Sequence, residues 1–381
     1  MAALKMKIHN PDGAKRVVAT KLLPGNRWHE ILAQAGCRVE ICESEERLTP
    51  HEIKNIIGSR CSGAIGQLTE AWGDELFSAL QSAGGRVYSN YAVGFNNVDI
   101  QAATKHGIAV GNTPGVLTET TAEMAVALTF AAARRIGESE RFLRSGKYTG
   151  WLPTLFLGML LKGKTLGIVG AGRIGTAFAR MMAEGHRMNI LYYDLNPNPT
   201  LEASISTFGA YLNSCGEFPV TCSRTLTLEE LIQKADCVSI HTVLNESTYH
   251  LFNAHRLSLM KENALLINTS RGPVIDEAAL VRHCMKHPHF RAALDVFEDE
   301  PNLKPGLAAL ENVVVVPHIA SATGWAREGM AVLAAFNVAA ILMGYPVWQD
   351  PDISKFLNEP SPKAAPSIIN AGELHLPLYQ V

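Results

Sequence analysis

Thr165-Leu-Gly-Ile-Val-Gly-Ala-Gly-Arg-Ile-Gly175 is an apolar run that breaks into glycines. Leu166 to Val169 reads as a short buried strand, and Arg173 to Met182 as the helix that follows it. Gly170, Gly172 and Gly175 have the G-x-G-x-x-G spacing. The first glycine permits a tight turn, the second lets backbone approach a pyrophosphate, and the third lets the helix pack on the strand. The helix start directs its free N–H groups at phosphate oxygens. A second apolar strand, Ile190-Leu-Tyr-Tyr193, ends at Asp194. That acid comes about 20 residues past the last glycine, where it can hold ribose hydroxyls. Strand, glycine turn, helix, strand and acid together predict a dinucleotide site. Leu195 and Asn196 follow the acid, with no Arg beside it. A 2′-phosphate would therefore meet like charge and no cation, so NADH is expected over NADPH.

At 381 residues the chain suggests two or three domains, at about 150 residues each. The apolar fraction of 47% is enough for two cores. A net charge of −2 gives no electrostatic pull toward nucleic acid or an anionic membrane. The seven cysteines are odd in number and scattered, with no C-x-x-C pair, which fits reduced thiols rather than a disulfide framework. Met1-Ala-Ala-Leu-Lys-Met-Lys7 lacks the long apolar core of a secretory signal. No stretch is expected to span a bilayer. Tyr379-Gln380-Val381 is not a Ser-Lys-Leu-type peroxisomal address.

Before the glycine run, short apolar runs alternate with helical segments: Val17 to Ala19, Trp28 to Ala35, Arg38 to Ile41, Ala64 to Gly66, Arg86 to Ser89 and Ile108 to Val110. This alternation predicts an α/β domain with a parallel sheet. Ala92 to Asp99 carries Gly94, whose turn either receives an anion on backbone N–H groups or is an ordinary glycine loop. Thr118 to Ile136 reads as a long helix, apolar on more than one side, expected between domains or at a subunit interface. Asn196 to Arg224 loosens into what reads as a surface insertion. Further strands are expected at Cys237 to Ile240, from Ala264 toward Asn268, at Phe290 to Asp295 and at Val313 to Val316. In open parallel sheets ligands gather at the strands' carboxyl ends, so Thr269, Arg271, Asp295 and His318 should converge. Gly324 to Met343 is a last long helix, and the tail from Pro351 has no pattern.

Five ordered stretches carry a family resemblance: Val93 to Asp99, Gly170 to Gly175, Asn268-Thr-Ser-Arg-Gly-Pro273, Leu294 to Pro301 and Pro317-His-Ile-Ala-Ser321. Across about residues 60 to 345 the chain resembles the D-2-hydroxyacid dehydrogenase family. Within it, the chain looks like the plant-type NADH-dependent hydroxypyruvate reductases, including the segment near 196 to 225. The resemblance implies an α/β fold of two Rossmann-like domains with parallel sheets. The substrate domain would be 1–116, the NAD-binding domain 117–321 inserted into it, and 322–381 the return of the substrate domain. It implies a homodimer through the NAD-binding domains and a peroxisomal site in photorespiration, with the cytoplasm as the alternative given the terminal tripeptide. The substrate would be a small 2-keto acid, hydroxypyruvate and also glyoxylate.

Reducing a 2-keto acid needs a hydride donor, a proton donor for the carbonyl oxygen, and cations or N–H dipoles for the carboxylate. Arg271 has the planar fork that suits a carboxylate. His318 can give a proton near neutral pH, and Glu300 would bond its far nitrogen and stabilise the imidazolium. Glu298 and Asp299 read as solvated acids. The resemblance selects Arg271, Glu300 and His318 as the catalytic set and puts the substrate carboxylate on the N–H groups of Val93 and Gly94. Leu68 and Trp151 would also line the substrate, with Trp151 either core packing or a lid over the partner's site. Besides Gly170, Gly172 and Gly175, the cofactor contacts would be Arg173, Ile174, Asp194, Thr242, Thr269, Asp295, His318 and Ser321. His283 and His287 have the spacing of a helical metal pair, but Pro288 breaks the helix and no acid is near, so no metal is expected. A second reading, from another class, is a partner-recruiting protein that keeps the dehydrogenase fold. The intact Arg–Glu–His set favours the enzyme.

Overall fold

Six short runs in the first part of the chain pair into one sheet. They are β1 (Met6–His9), β2 (Lys15–Ala19), β3 (Cys37–Cys42), β4 (Gly63–Gly66), β5 (Val87–Asn90) and β6 (Ala109–Gly111), in the order β1-β3-β2-β4-β5-β6. The computed structural model describes residues 4–358 and 361–379. Met1 to Ala3, and Gln380 and Val381 of the terminal tripeptide, lie outside the described residues. The chain divides into two units, Met1–Leu117 with Ala322–Val381, and Thr118–Ser321.

In the first unit β2 to β6 are parallel, and their order is that of a doubly wound sheet whose direction reverses beside β2. β1 departs from the parallel expectation: it pairs antiparallel with β3 at the edge, Met6 opposite Cys42. Helix Arg27–Gln34 buries Trp28, Ile31 and Leu32, a single helical face. Helix Pro50–Ile57 opens with a capping box in which Thr49 and Glu52 bond each other's backbone N–H, with Pro50 in the first turn.

Helix Gly324–Met343 lies against β4, β5 and β6. It corrects the expectation that nothing is long and apolar enough for a bilayer, since its length and mean hydropathy of 1.4 both suffice. Its apolar residues have a different use: 78% of that stretch is buried, as in a core helix packed on several sides. Asn337, fully buried, donates to the Asn112 carbonyl at 2.9 Å and accepts from Ser367 N at 2.9 Å.

The described residues of the tail from Pro351, which show no pattern in the sequence, pair with the rest of this unit. Ile368 bridges Gly111, and Val347 bridges Ala365 and Leu378. Asn370 accepts from Val110 N at 2.8 Å and donates to the Ile108 carbonyl and Thr104 Oγ1, both at 2.9 Å. These bonds are specific side-chain to backbone pairings, which leave no periodic trace in a sequence.

The second unit holds seven parallel strands: β7 (Thr165–Val169), β8 (Asn189–Tyr193), β9 (Cys222–Arg224), β10 (Cys237–Ile240), β11 (Leu265–Asn268), β12 (Arg291–Leu294) and β13 (Val313–Val315). Their order is β13-β12-β11-β10-β7-β8-β9, which reverses direction between β7 and β10. That crevice is where a Rossmann sheet holds its ligand, and the glycine turn leaves β7 into it. Helix Thr118–Ala133 places Ala122, Ala125, Leu128, Ala132 and Ala133 in the core of this unit. Arg135, with φ +56°, ends it before helix Ile136–Arg144.

The stretch from Asn196 to Arg224 is a second correction. It contains the helix Pro199–Ser214, capped by Asn198, and the edge strand β9. Leu201, Ile205, Gly209 and Leu212 form its buried face. The four small or polar residues Ala203, Ser204, Ser206 and Thr207 dilute that face in the sequence.

Replacing Asn370 with Ala leaves the buried Val110 N–H and Ile108 carbonyl without their partner. The expected loss is about 2–4 kcal/mol, read as an earlier first transition in urea. An unchanged transition would mean that the tail does not support β6.

Candidate active site

At Gly170, φ is +95°, and an added Cβ would meet the His241 carbonyl carbon at 2.9 Å and Thr242 N at 3.0 Å. The end of β10, with half-buried Thr242, therefore packs directly on the glycine turn. A Cβ on Gly175 would lie 2.1 Å from the Gly170 carbonyl oxygen, so helix Arg173–Arg180 can start only from glycine. A Cβ on Gly172 would meet nothing within 4 Å, which leaves room over the turn. Gly172 offers no side-chain cap, and the N–H groups of Arg173 and Ile174 donate to nothing among the described residues. The Thr269 hydroxyl, at the end of β11, is buried without a partner. An open glycine turn, unpaired helix-start amides and an orphan hydroxyl fit a dinucleotide.

Asp194 Oδ2 accepts from Ala171 N at 2.8 Å, and Oδ1 from Asn196 N at 3.1 Å. Asn198 Nδ2 donates to the Ala171 carbonyl at 2.9 Å and to Thr176 Oγ1 at 3.0 Å. Ala171 in the glycine turn is thus held through both its N–H and its carbonyl, a role for Asn198 that sequence reading missed. The expectation that no cation lies near Asp194 also needs correction. Arg224 Nη2 donates to the carbonyls of Asp194 and Leu195, both at 2.9 Å. The two residues are 30 apart in sequence, and only the pairing of β8 with β9 brings them together.

Arg271, Glu300 and His318 are brought together at the carboxyl ends of β11, β12 and β13. His318 Nδ1 lies 2.9 Å from Glu300 Oε2. An ionised carboxylate only accepts, so Nδ1 carries the proton and Nε2 is left for a ligand. Glu300 Oε1 accepts from Phe297 N at 2.9 Å. Burial pushes the Glu300 carboxyl up, but the bond and charge of His318, the Phe297 N–H and Arg271 prevail and hold it below its usual range. Burial lowers the Arg271 guanidinium from its ordinary range, with Glu300 opposing. Arg271 Nη1 donates to the Ser270 carbonyl at 2.7 Å, and Asn268 Nδ2 to the Arg271 carbonyl at 2.9 Å. A Cβ on Gly272 would fall 1.9 Å from the Phe297 carbonyl, so the Arg271 turn and the acidic turn touch backbone to backbone.

Asp295 is fully buried. Its Oδ1 accepts from Ile319 N at 2.6 Å and its Oδ2 from Ala320 N at 3.0 Å. Burial raises its carboxyl from the usual range, against those two bonds and the His318 charge. Its observed work is to hold the chain after His318, and the remaining lone pairs are what a cofactor amide could use. Ser321 ends this unit. Glu298 is not the solvated acid expected. Its Oε1 lies 3.1 Å from His250 Nε2, and its Oε2 accepts from Glu277 N at 3.1 Å. Asp299 is exposed and paired with Lys304 at 2.6 Å.

In the first unit Leu68 follows β4, and Val93 and Gly94 follow β5. Asn112 Nδ2 bonds the Val93 carbonyl at 2.8 Å and Asn90 Nδ2 the Gly94 carbonyl at 3.0 Å. The N–H groups of Val93 and Gly94 donate to nothing among the described residues, so the turn is fixed by its carbonyls and presents its amides. Trp151 is 80% exposed, which removes core packing in this chain as its role. His283 and His287 stack at 4.4 Å, and burial and the neighbouring His287 push His283 down to about 4. Among the described residues no group of three or more His, Cys, Asp or Glu could hold a metal.

A model of the D-isomer specific 2-hydroxyacid dehydrogenase family, NAD binding domain, matches residues 126–320. The chain is 56% identical to glycerate dehydrogenase HPR, peroxisomal, of Arabidopsis thaliana, over 99% of each chain. It is 46% identical to the glyoxylate reductase of Thermococcus litoralis, over 68% of this chain and 74% of that one. Among solved structures, the TT0316 protein of Thermus thermophilus superposes with a TM-score of 0.77 at 35% identity, covering 93% of this chain and 99% of that one. A glycine turn at the sheet's reversal point, a paired histidine and acid at the strand ends, and likeness along nearly the whole length converge, and the chain belongs to the D-isomer specific 2-hydroxyacid dehydrogenase family.

Proposed function

We propose that this chain reduces hydroxypyruvate to D-glycerate, and glyoxylate to glycolate, with NADH preferred over NADPH. The observation that carries the reading is His318 Nδ1 at 2.9 Å from a Glu300 carboxylate that also feels Arg271. A proton donor, its counter-ion and a carboxylate-binding cation are the groups this reduction requires. Relatives named glycerate dehydrogenase and glyoxylate reductase support the substrate class. The Asp194 carboxylate supports the cofactor preference through its repulsion of a 2′-phosphate. NADH, when bound, supplies the hydride.

The chain's own groups do the rest. The Arg271 fork binds the substrate carboxylate and polarises the reacting carbonyl. Protonated His318 gives its Nε2 proton to the carbonyl oxygen, while Glu300 holds Nδ1 and the ring's orientation. Val93, Gly94 and Leu68 are further proposed substrate contacts, on the family resemblance, with the free N–H groups of Val93 and Gly94 suited to an anion. Gly170, Gly172, Arg173, Ile174, Gly175, Asp194, Thr242, Thr269, Asp295 and Ser321 are the proposed cofactor contacts. We assign the chain to the peroxisome by its likeness to the Arabidopsis relative, with the cytoplasm as the competing compartment. Imaging the full chain beside a peroxisomal marker separates the two.

The second unit exposes Ile136, Leu143, Trp151, Leu152, Leu157 and Leu160 within one stretch of chain. Clustered apolar exposure marks an interaction surface, which supports a homodimer through this unit, with Trp151 reaching the partner. Sedimentation should give twice the 41.3 kDa of the chain, and Leu157→Asp with Leu160→Asp should give the monomer. A wild-type monomer would refute the dimer.

Arg271→Ala should lose about 3–5 kcal/mol of transition-state stabilisation, the scale of a broken buried charge pair. Arg271→Lys should recover only part, because the fork is gone. Near-normal kcat/KM for hydroxypyruvate in Arg271→Ala would remove this residue from the reaction.

The pH profile tests the pair. The hydrogen bond and charge of His318 help to hold the Glu300 carboxyl below its usual range, so the acid stands as a carboxylate 2.9 Å from the ring. Reduction uses the imidazolium, so kcat should fall on the alkaline side as that proton is lost. Glu300→Gln keeps a hydrogen bond and removes the charge, so the alkaline limb should move to lower pH. The oxidation of D-glycerate uses neutral His318 and should rise over the same range. Superimposable reduction profiles for wild type and Glu300→Gln would show that the acid is not coupled to the proton donor.

A further inference from the structure

Arg224 is the last residue of β9 and is exposed. In the parallel pairing of β8 with β9 it stands opposite Tyr192, so its side chain starts two residues short of the level of Asp194. The guanidinium reaches forward to the carbonyls that end β8. Nη2 bonds Asp194 O and Leu195 O, both at 2.9 Å, and Nε is 3.3 Å from Asp194 O. Among the described residues no carboxylate pairs with Arg224, and Nη1 makes no hydrogen bond. The cation is therefore held by neutral carbonyls, with its charge uncompensated and one edge of its fork open.

The acid beside it is differently engaged. Both oxygens of Asp194 accept backbone N–H groups, from Ala171 and Asn196. Its charge repels a phosphate, while the Arg224 cation is bonded to the backbone carbonyl of the same residue. In Rossmann sites the acid at the end of the second strand marks the adenosine ribose, and an arginine nearby accommodates a 2′-phosphate. Arginine presents parallel donors that match phosphate oxygens.

We propose that Arg224 is a specificity-determining residue for the cofactor, which takes the 2′-phosphate of NADPH on its open edge and so makes NADPH a usable second donor beside NADH. This rests on the proposed placement of the dinucleotide with its ribose at Asp194. Asp194 sets the preference for NADH, and Arg224 sets how small that preference is.

Equilibrium titration of the full chain with 2′,5′-ADP and with 5′-ADP tests this without turnover. The variants are Arg224→Ala, Asp194→Ala and the double variant. Arg224→Ala should weaken 2′,5′-ADP about tenfold, the scale of one charge-assisted hydrogen bond, and should weaken 5′-ADP much less. Asp194→Ala should tighten 2′,5′-ADP, and by more when Arg224 is present than in the double variant. Added salt should weaken 2′,5′-ADP in wild type more than in Arg224→Ala. The kcat/KM for NADPH should follow the binding of 2′,5′-ADP. Equal weakening of both nucleotides would overturn the proposal and reduce Arg224 to a tie across the strand ends. Unchanged binding of 2′,5′-ADP would place the phosphate elsewhere. If 5′-ADP binds wild type and 2′,5′-ADP does not, this inference fails and the dinucleotide site stands. If neither binds, the site itself fails.

Discussion

Asp295 receives the N–H groups of Ile319 and Ala320 on a carboxyl group that never meets solvent. Its own carbonyl accepts His318 N at 2.9 Å. His318 is thereby pinned on both sides of its own peptide, at a φ of +51° that a side-chain-bearing residue rarely adopts. Such a conformation persists only where the surroundings over-determine it. Relaxing the chain after β13 would leave a buried polar group without partners, at a cost of about 1–3 kcal/mol. The orientation of the imidazole toward Glu300 follows from this one buried contact.

The rest of the catalytic end is built by backbone proximity. Gly272 lets the turn after β11 press on Phe297, and that contact brings Arg271 within electrostatic reach of Glu300. Glu298 then closes the acidic turn from outside, through Glu277 N and His250. Three consecutive acids thus have three different environments. Glu298 is structural, Asp299 is solvated, and Glu300 faces the histidine. A linear Glu-Asp-Glu run carries none of this distinction, because which acid turns inward depends on how the chain folds back.

Apolar runs and glycine spacing made both sheets legible, since strands buried on both faces read as continuous hydrophobic stretches. β10 and helix Gly324–Met343 begin and end where the sequence reading put them. What escaped reading has a common physical character. β1 is a polar edge strand, half exposed, so burial leaves no pattern in it. Helix Pro199–Ser214 is diluted by small residues, although Asn198-Pro199 is a start signal of known chemistry. The capping box at Thr49 is also a signal present in the sequence, Thr49 followed by Glu52. Arg224 could not have been found by scanning near Asp194, because strand pairing makes it a neighbour. Residues read as single letters reveal chemistry, whereas their partners belong to the fold.

The doubly held Ala171 has a consequence for how the glycine turn meets a ligand. Asp194 and Asn198 fix its N–H and its carbonyl before anything binds. A flexible glycine-rich loop would lose conformational entropy on closing over a pyrophosphate, at about 1–2 kcal/mol for each ordered residue. Here that ordering is already part of the folded state, supplied by the start of the helix after β8. The turn is preorganised, so the amides at the start of helix Arg173–Arg180 meet a phosphate without rearranging. That segment, read from sequence as a surface insertion, acts as a splint on the loop that defines the fold.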